Sequence, residues 1–197
     1  MKNSFNLGYY KTKELKNFGF LYIGNNVQIA KSCNIIGMEN ISIGNNVRID
    51  SFTTIVSFKK EKIIIGSNIH IGGYCYLSGN YGIEIHDYCN LSQSVKIYTN
   101  SDDFSGNSMT SSVIPDKFKN IKYGKVILKK HVIIGSTCVV MPNITLEEGV
   151  AVGALSFVNK SLKKWGIYAG NPVKFLKKRN KKILELEKIF NCVKNKD

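Results

Sequence analysis

The 197-residue chain lacks any apolar run approaching the eighteen or so residues that a membrane-spanning helix requires. Its first twenty residues, MKNSFNLGYYKTKELKNFGF, carry neither the apolar core nor the small-residue cleavage site of a secretory signal, so the expected location is the cytoplasm. Five cysteines are present, an odd number, and no two of them form a CxxC pair, which argues against a disulfide framework. Only three histidines occur, and their spacing does not match a zinc ligand set. Acidic residues are also scarce, with 14 Asp and Glu against 28 Lys and Arg, giving a formal charge of +14. Nucleic acid is the first partner such a charge brings to mind. The charge is local, however. Nine basic residues lie between Lys160 and Lys182 and six lysines between Lys117 and Lys130. No aromatic residue interrupts KKRNKK, so stacking on bases is not indicated there. Two compact clusters suit a small polyanion such as a phosphorylated cofactor equally well.

What the chain has in abundance is a repeat. In LKKHVIIGSTCVVMPNITLEEGVAVGALSFVNK, aliphatic residues recur at Leu128, Ile134, Val140, Leu146, Val152 and Val158, six apart. The N-terminal half keeps the same frame with interruptions: Ile23, Ile29, Ile35; Ile43, Ile49, Ile55; Ile65, Ile71, Leu77; Ile85, Leu91, Ile97. A period of six is neither helical nor simple strand alternation. It describes a short strand, a corner and another short strand, and three such sides close a triangular coil. Stacked coils form parallel sheets around a continuous core. Glycine or another small residue often follows the aliphatic one, where a tight corner is expected to favour glycine's conformational freedom. Cys33, Cys75, Cys89 and Cys138 all occupy the slot four residues after an aliphatic position, which makes them small core residues rather than metal ligands or nucleophiles.

Every break in the frame follows the third side of a coil, so all insertions should emerge at one corner. The longest, Asn100 to about Gly124, contains SDDFSGNSMTSSVIPDKFKN. Insertions of this length are usually functional or disordered. Phe104, Met109, Ile114, Pro115 and Phe118 equip this one to pack against something. The expected architecture is an all-β parallel helix of about six coils, with the long loop after the fourth. Residues 1–19 form a short helical segment with Leu15 and Phe18 facing the core. The β-helix spans 20–165, with its inserted loop at 100–124. A C-terminal extension and helix occupy 166–197, where Ile183, Leu186 and Phe190 recur at helical spacing.

The repeat, the long loop and the closing WGIYAGNPVKFLKKR together resemble the hexapeptide-repeat acyltransferases over about residues 20–180. The resemblance implies a left-handed β-helix, a homotrimer with active sites between protomers, and acetyl-CoA or another acyl-CoA as donor. The last coils are similar to those of galactoside and maltose acetyltransferases. That similarity assigns Gly135, Ser136, Gly153 and Ala154 to the pantetheine arm and Asn159 and Lys160 to the nucleotide end. Lys174 and Lys177 then belong to the cofactor phosphates, which positive charge and backbone donors recognise. Many members place a tryptophan beside the pantetheine where this chain has Ile133, and Trp165 reads as a packing residue.

A second departure bears on catalysis. The family's O-acetyltransferases place a general-base histidine five residues after the last aliphatic position before the loop. Five residues beyond Ile97 stands Asp102, followed by Asp103. A sugar hydroxyl needs a base poised near neutrality. A neutral amine attacks a thioester unaided, and carboxylates nearby hold and orient it. SDDFSG is similar to the loop of N-acyltransferases that modify 4-amino-4,6-dideoxysugars on nucleotide carriers. Either aspartate also suits a plain turn-capping role. His86, in EIHDYCNLS, is an alternative base, whereas His70 and His131 read as structural. The leading expectation is an acyl-CoA-dependent acyltransferase acting on the amino group of a nucleotide-linked sugar in surface-polysaccharide synthesis. Transfer to a sugar hydroxyl is the alternative, and a non-catalytic β-helical scaffold the second.

Overall fold

A computed structural model describes residues 6–58 and 61–194, so the expected terminal segments 1–19 and 166–197 run at their outer ends beyond the described residues. The repeat aliphatics define the architecture. On the first side of the prism, Ile23, Ile43, Ile65, Ile85, Leu128 and Leu146 pair in one parallel ladder. On the second side, Ile29, Ile49, Ile71, Leu91, Ile134 and Val152 do the same. Ile35, Ile55, Leu77, Ile97, Val140 and Val158 form the third. All of them are buried except Ile35, which packs at the margin of the core. Fully burying one such side chain contributes about 1.5–3 kcal/mol, so the three ladders are the principal source of stability. The structure is a parallel β-solenoid that matches a left-handed β-helix.

About six coils were expected. The solenoid continues into part of a seventh, because Leu162 pairs with Leu146 and Tyr168 with Val152. The corner after Val158 is two residues shorter than the repeat, and the ladder member that follows Leu162 is an aromatic, so a search for aliphatics every six residues stops one coil early.

The corner chemistry corrects one expectation. The glycines that follow the aliphatic positions are not in the left-handed region. They are required because successive coils touch there: a Cβ on Gly44 would lie 2.7 Å from the Gly66 carbonyl oxygen, and one on Gly135 would lie 2.5 Å from the Ala154 nitrogen. The left-handed residue comes two positions later. Asn26, Asn46, Asn68, Thr137, Asn143 and Leu155 hold it with φ of 53–61°. Asparagine tolerates this conformation best among residues with a side chain. At the first corner, between the first and second sides, asparagines also bond coil to coil, Asn26 to Asn46 at 3.0 Å and Asn46 to Asn68 at 3.1 Å.

Both ends are closed. Strand Tyr9–Lys11 runs antiparallel to Val27–Ala30, and the one-turn helix Thr12–Leu15 buries Leu15 against the lowest coil. Phe18 does not face the core as expected. It stands edge-on to Tyr10, with ring centroids 4.9 Å apart, and is more than a third exposed. At the other end, strand Lys174–Lys178 folds back antiparallel on Gly166–Ala169 and presents lysines along the sheet edge, a common way of blunting it. Trp165 is buried over Gly149. Helix Lys182–Lys194 begins where the Lys182 N–H donates to the Asn180 side chain, and it returns to the first corner. There Glu187 meets His131 at 2.7 Å and the Tyr88 hydroxyl donates to Asn191 at 2.7 Å.

Candidate functional site

The third corner, where each coil passes to the next, carries all the insertions. They are bonded to one another: the Asn40 amide donates to the Ser57 carbonyl, the Phe58 N–H to the Asn80 side chain, and the Tyr81 N–H to the Thr99 hydroxyl. The long loop starts as a two-stranded ribbon, Asn100–Ser101 against Lys122–Tyr123. Stacking of Tyr123 on Tyr81, at 4.7 Å and 15°, fixes its base.

The two aspartates of this loop have different surroundings. Asp103 is buried, and its carboxylate accepts hydrogen bonds from the Ser105 N–H at 3.0 Å, the Ser105 hydroxyl at 2.9 Å and the Ser108 hydroxyl at 3.1 Å. The backbone donor at Ser105, then its hydroxyl, hold the acid below its ordinary range. Asp102 accepts a single long bond, from the Ser111 N–H at 3.4 Å. Its side chain lines an open cleft of about 420 Å³ whose floor is the outward face of the third side, formed by Tyr76, Ser78, Tyr98 and Met141. It also lines an adjoining cleft with Met141, Phe157 and Asn159. One carboxylate thus braces the loop while its neighbour is available to a ligand.

His86 is elsewhere. It sits on the first corner, 3.7 Å from Glu84, which Lys125 holds at 2.8 Å. Within one chain the structure does not bring it to the aspartates. Gly135–Ser136 and Gly153–Ala154 stack at the second corner, with the Leu155 N–H donating to the Ser136 carbonyl. Coil stacking already accounts for glycine at 135. Asn159 and Lys160 fall at the third corner, and Asn159 shares the Asp102 cleft. Lys174 and Lys177 lie exposed on the terminal strand that pairs with Gly166–Ala169. Tyr76, Tyr98 and Met141 were not anticipated, although their outward positions next to the inward aliphatics of the third side are visible in the frame. Phe104, Met109 and Phe118 remain half or more exposed, so the loop's apolar residues are not packed away by their own chain.

The cysteines lie where the frame puts them. Cys75, Cys89 and Cys138 are buried, and their thiols donate to the carbonyls of Ser92, Lys129 and Gly153. Burial pushes the pKa of the Cys75 thiol up to about 11 and that of Cys89 up to about 12. Among the described residues, no group of three His, Cys, Asp or Glu side chains is arranged to hold a metal ion. No described helix is long and apolar enough to cross a membrane.

A triangular parallel solenoid with one polar, carboxylate-bearing loop over an open cleft defines the hexapeptide-repeat acyltransferase class. No family model matches the chain. The chain is 41% identical over 184 residues to dTDP-4-amino-4,6-dideoxy-D-glucose acyltransferase from Escherichia coli, covering 93% of this chain and 95% of that one. The solved structure of AntD, an N-acyltransferase from Bacillus cereus in complex with dTDP and 3-hydroxybutyryl-CoA, superposes with a TM-score of 0.91 at 48% identity, covering 95% of this chain and 98% of AntD. AntD has also been solved with one aspartate or one serine substituted, ten residues apart, the serine variant holding dTDP-4-amino-4,6-dideoxyglucose and CoA. A maltose O-acetyltransferase from Clostridium difficile 630 shares the fold at 21% identity and a TM-score of 0.57, covering 86% of this chain and 74% of its own. The chain belongs to the family of nucleotide-aminosugar acyltransferases.

Proposed function

We propose that this chain transfers an acyl group from acyl-CoA to the amino group of a dTDP-linked 4-amino-4,6-dideoxysugar. The observation that carries the reading is the Asp102 carboxylate in the open cleft, held among the described residues only by the long Ser111 bond, at the position where the O-acetyltransferases use histidine. Ser92 and Asp102 stand ten residues apart, the spacing of the serine and aspartate substituted in AntD. Asp102 accepts a hydrogen bond from the bound amine and takes its excess proton, leaving the nitrogen neutral. The nitrogen lone pair attacks the thioester carbonyl, the C–S bond breaks, and the thiolate leaves with the proton that the new amide nitrogen sheds. A carboxylate suffices because the amine needs no strong base. Asp103 serves as a brace rather than a catalytic group, and His86 has no part in the step.

By the resemblance to the family's last coils, the pantetheine arm lies at the second corner, along Gly135, Ser136, Gly153 and Ala154. Asn159, Lys160, Lys174 and Lys177 supply polar and positive groups toward the nucleotide end of the cofactor. Ser92 lies on the second corner and Asp102 beyond the third, so the two converge only across neighbouring copies. The half-exposed apolar residues of the loop also call for a neighbour. Both points support a homotrimer with composite sites. The reaction belongs in the cytoplasm, where acyl-CoA is made, and an acylated dideoxysugar on a nucleotide carrier suits surface-polysaccharide assembly.

The test is thiol release from acetyl-CoA and 3-hydroxybutyryl-CoA with dTDP-4-amino-4,6-dideoxyglucose and with its 4-hydroxy counterpart. Turnover with the amine alone is expected, and Asp102→Asn should lower kcat by about 10²-fold without changing the melting temperature. Turnover with the hydroxyl sugar alone would replace this reading with O-acylation.

A further inference from the structure

The terminal strand Lys174–Lys178 carries the two lysines proposed for the cofactor phosphates, yet little in the strand itself holds it. All five of its residues are exposed. It is the last strand of its sheet, so it pairs on one side only. Its register with Gly166–Ala169 also slips: Ala169 faces Lys174 and Tyr168 faces Phe175, but Ile167 faces Lys177. Leu176 is therefore the extra residue, and the slip falls between the two lysines. A strand with few buried contacts and a single set of ladder bonds opens readily unless its ends are tied.

The two ends are tied by different means. At the start, Val173 is buried and its N–H donates to the Phe157 carbonyl at 2.9 Å. At the finish stands Arg179. Its N–H donates to the Trp165 carbonyl at 2.9 Å. Its guanidinium Nη1 donates to the His131 carbonyl at 2.8 Å and to the Gly149 carbonyl at 3.1 Å. His131, Gly149 and Trp165 are the left-handed residues of the first corner in three successive coils, with φ of 62°, 68° and 56°. Arg179 thus grips all three coils at once. Several other cations of the solenoid pair with acids: Arg48 and His70 with Asp50, Lys125 with Glu84, and Lys130 with Glu187. Arg179 meets backbone carbonyls instead, and the folded corner fixes their positions in advance. Hydrogen bonds from a charged donor are roughly twice as strong as neutral ones.

We infer that Arg179 is a positioning residue for the acyl donor. By clamping the end of the terminal strand to the first corner, it fixes where Lys177 meets the cofactor. Lys174 is set from the other end, by Val173, and the slip at Leu176 uncouples the two lysines. Arg179 acts through the strand and not as a ligand contact. This role rests on the proposed function, which assigns both lysines to the nucleotide end of the cofactor.

Calorimetric titration of the full chain with CoA, and separately with dTDP, tests it. Arg179 lies outside the three ladders, so Arg179→Ala should fold. Lys177→Ala should weaken CoA binding about tenfold or more. Arg179→Ala should weaken it about fivefold or more, leave dTDP binding unchanged, and raise KM for acyl-CoA with kcat unchanged. The double variant Arg179→Ala/Lys177→Ala should match Lys177→Ala alone within about twofold, because both changes remove the same contact. Combined with Lys174→Ala, the loss from Arg179→Ala should multiply. Glu187→Gln loosens the helix that follows but leaves the strand tied, and CoA affinity should hold. Wild-type CoA affinity in Arg179→Ala, with Lys177→Ala weakened, would overturn the positioning role and leave the proposed reaction standing. Losses from Arg179→Ala and Lys177→Ala that multiply would overturn it too, as would an equal loss in Glu187→Gln. Wild-type affinity in Lys177→Ala would remove the phosphate contact on which the role depends. A wild-type chain that binds dTDP but no CoA would remove the proposed function as well.

Discussion

Replacing Gly135 with alanine separates two reasons for a glycine at the second corner. In one, the residue is small so that the pantetheine arm can approach. In the other, it is small because the next coil leaves no room. The structure favours the second with a specific overlap: the new Cβ would sit 2.5 Å from the Ala154 nitrogen and 2.9 Å from its Cα, where ordinary contact begins near 3.4 Å. Both opposing atoms are backbone, in the corner that directly follows the Ile133–Ile134 and Ala151–Val152 ladder, so no side chain can swing aside. Overpacking of this kind costs about 1–3 kcal/mol. Glycine at 135 is not left-handed, so alanine also gains about 0.4–1 kcal/mol by restricting the unfolded chain. At the middle of both ranges the net loss is about 1.3 kcal/mol, or roughly 3–5 °C in melting temperature for a chain of this size. Thermal unfolding followed by circular dichroism measures it, with CoA affinity measured on the folded variant. An unchanged melting temperature together with a large loss of CoA affinity would refute the stacking argument and restore the ligand as the reason for the glycine.

The remaining predictions concern the carboxylate brace and the thiols. Because its three donors lower the pKa of Asp103, its contribution is fully present above the ordinary carboxylate range. That contribution is lost only as pH falls through the lowered folded value. The Ser105 amide should therefore keep its protection, taken relative to the intrinsic exchange rate, at neutral and mildly acidic pH and lose it only below about pH 4, while Asp103→Asn removes it at pH 7. Protection that fades near pH 6 would contradict the hydrogen-bond assignment. With an aromatic disulfide reagent at pH 8, Cys192, on the exposed face of the terminal helix, should react first. The half-buried Cys33 should follow, and Cys75, Cys89 and Cys138 should wait for unfolding; rapid reaction of a third full equivalent would show that the buried cysteines are less sealed than described.

The eighteen aliphatic positions were legible because a solenoid writes its contacts into the chain at a fixed interval, so the ladder partner of Ile97 can be found by counting. Asp102 was legible for the same reason. Its distinction from Asp103 was not, because that depends on Ser105 and Ser108 turning back onto one carboxylate and not the other, which is a matter of loop geometry. The role of the corner glycines was misread, since a close approach between coils and a left-handed turn both select glycine. Only the backbone angles separate them. The part-coil at the top escaped because a shortened corner and Tyr168 break the pattern that identifies the others. Arg48 and His70 lie in outward slots of the frame, where the repeat imposes no residue type, while Asp50 takes a corner slot that small residues usually fill.

Because each interruption of the repeat departs from and returns to the third corner, chain can be added or removed there without shifting a single partner in any of the three ladders. Substrate preference and scaffold are thereby uncoupled. A lineage can redraw the contents of the Asn100–Gly124 excursion while the stack beneath keeps its phase, and the other two corners, bound by contact between coils, offer no comparable latitude.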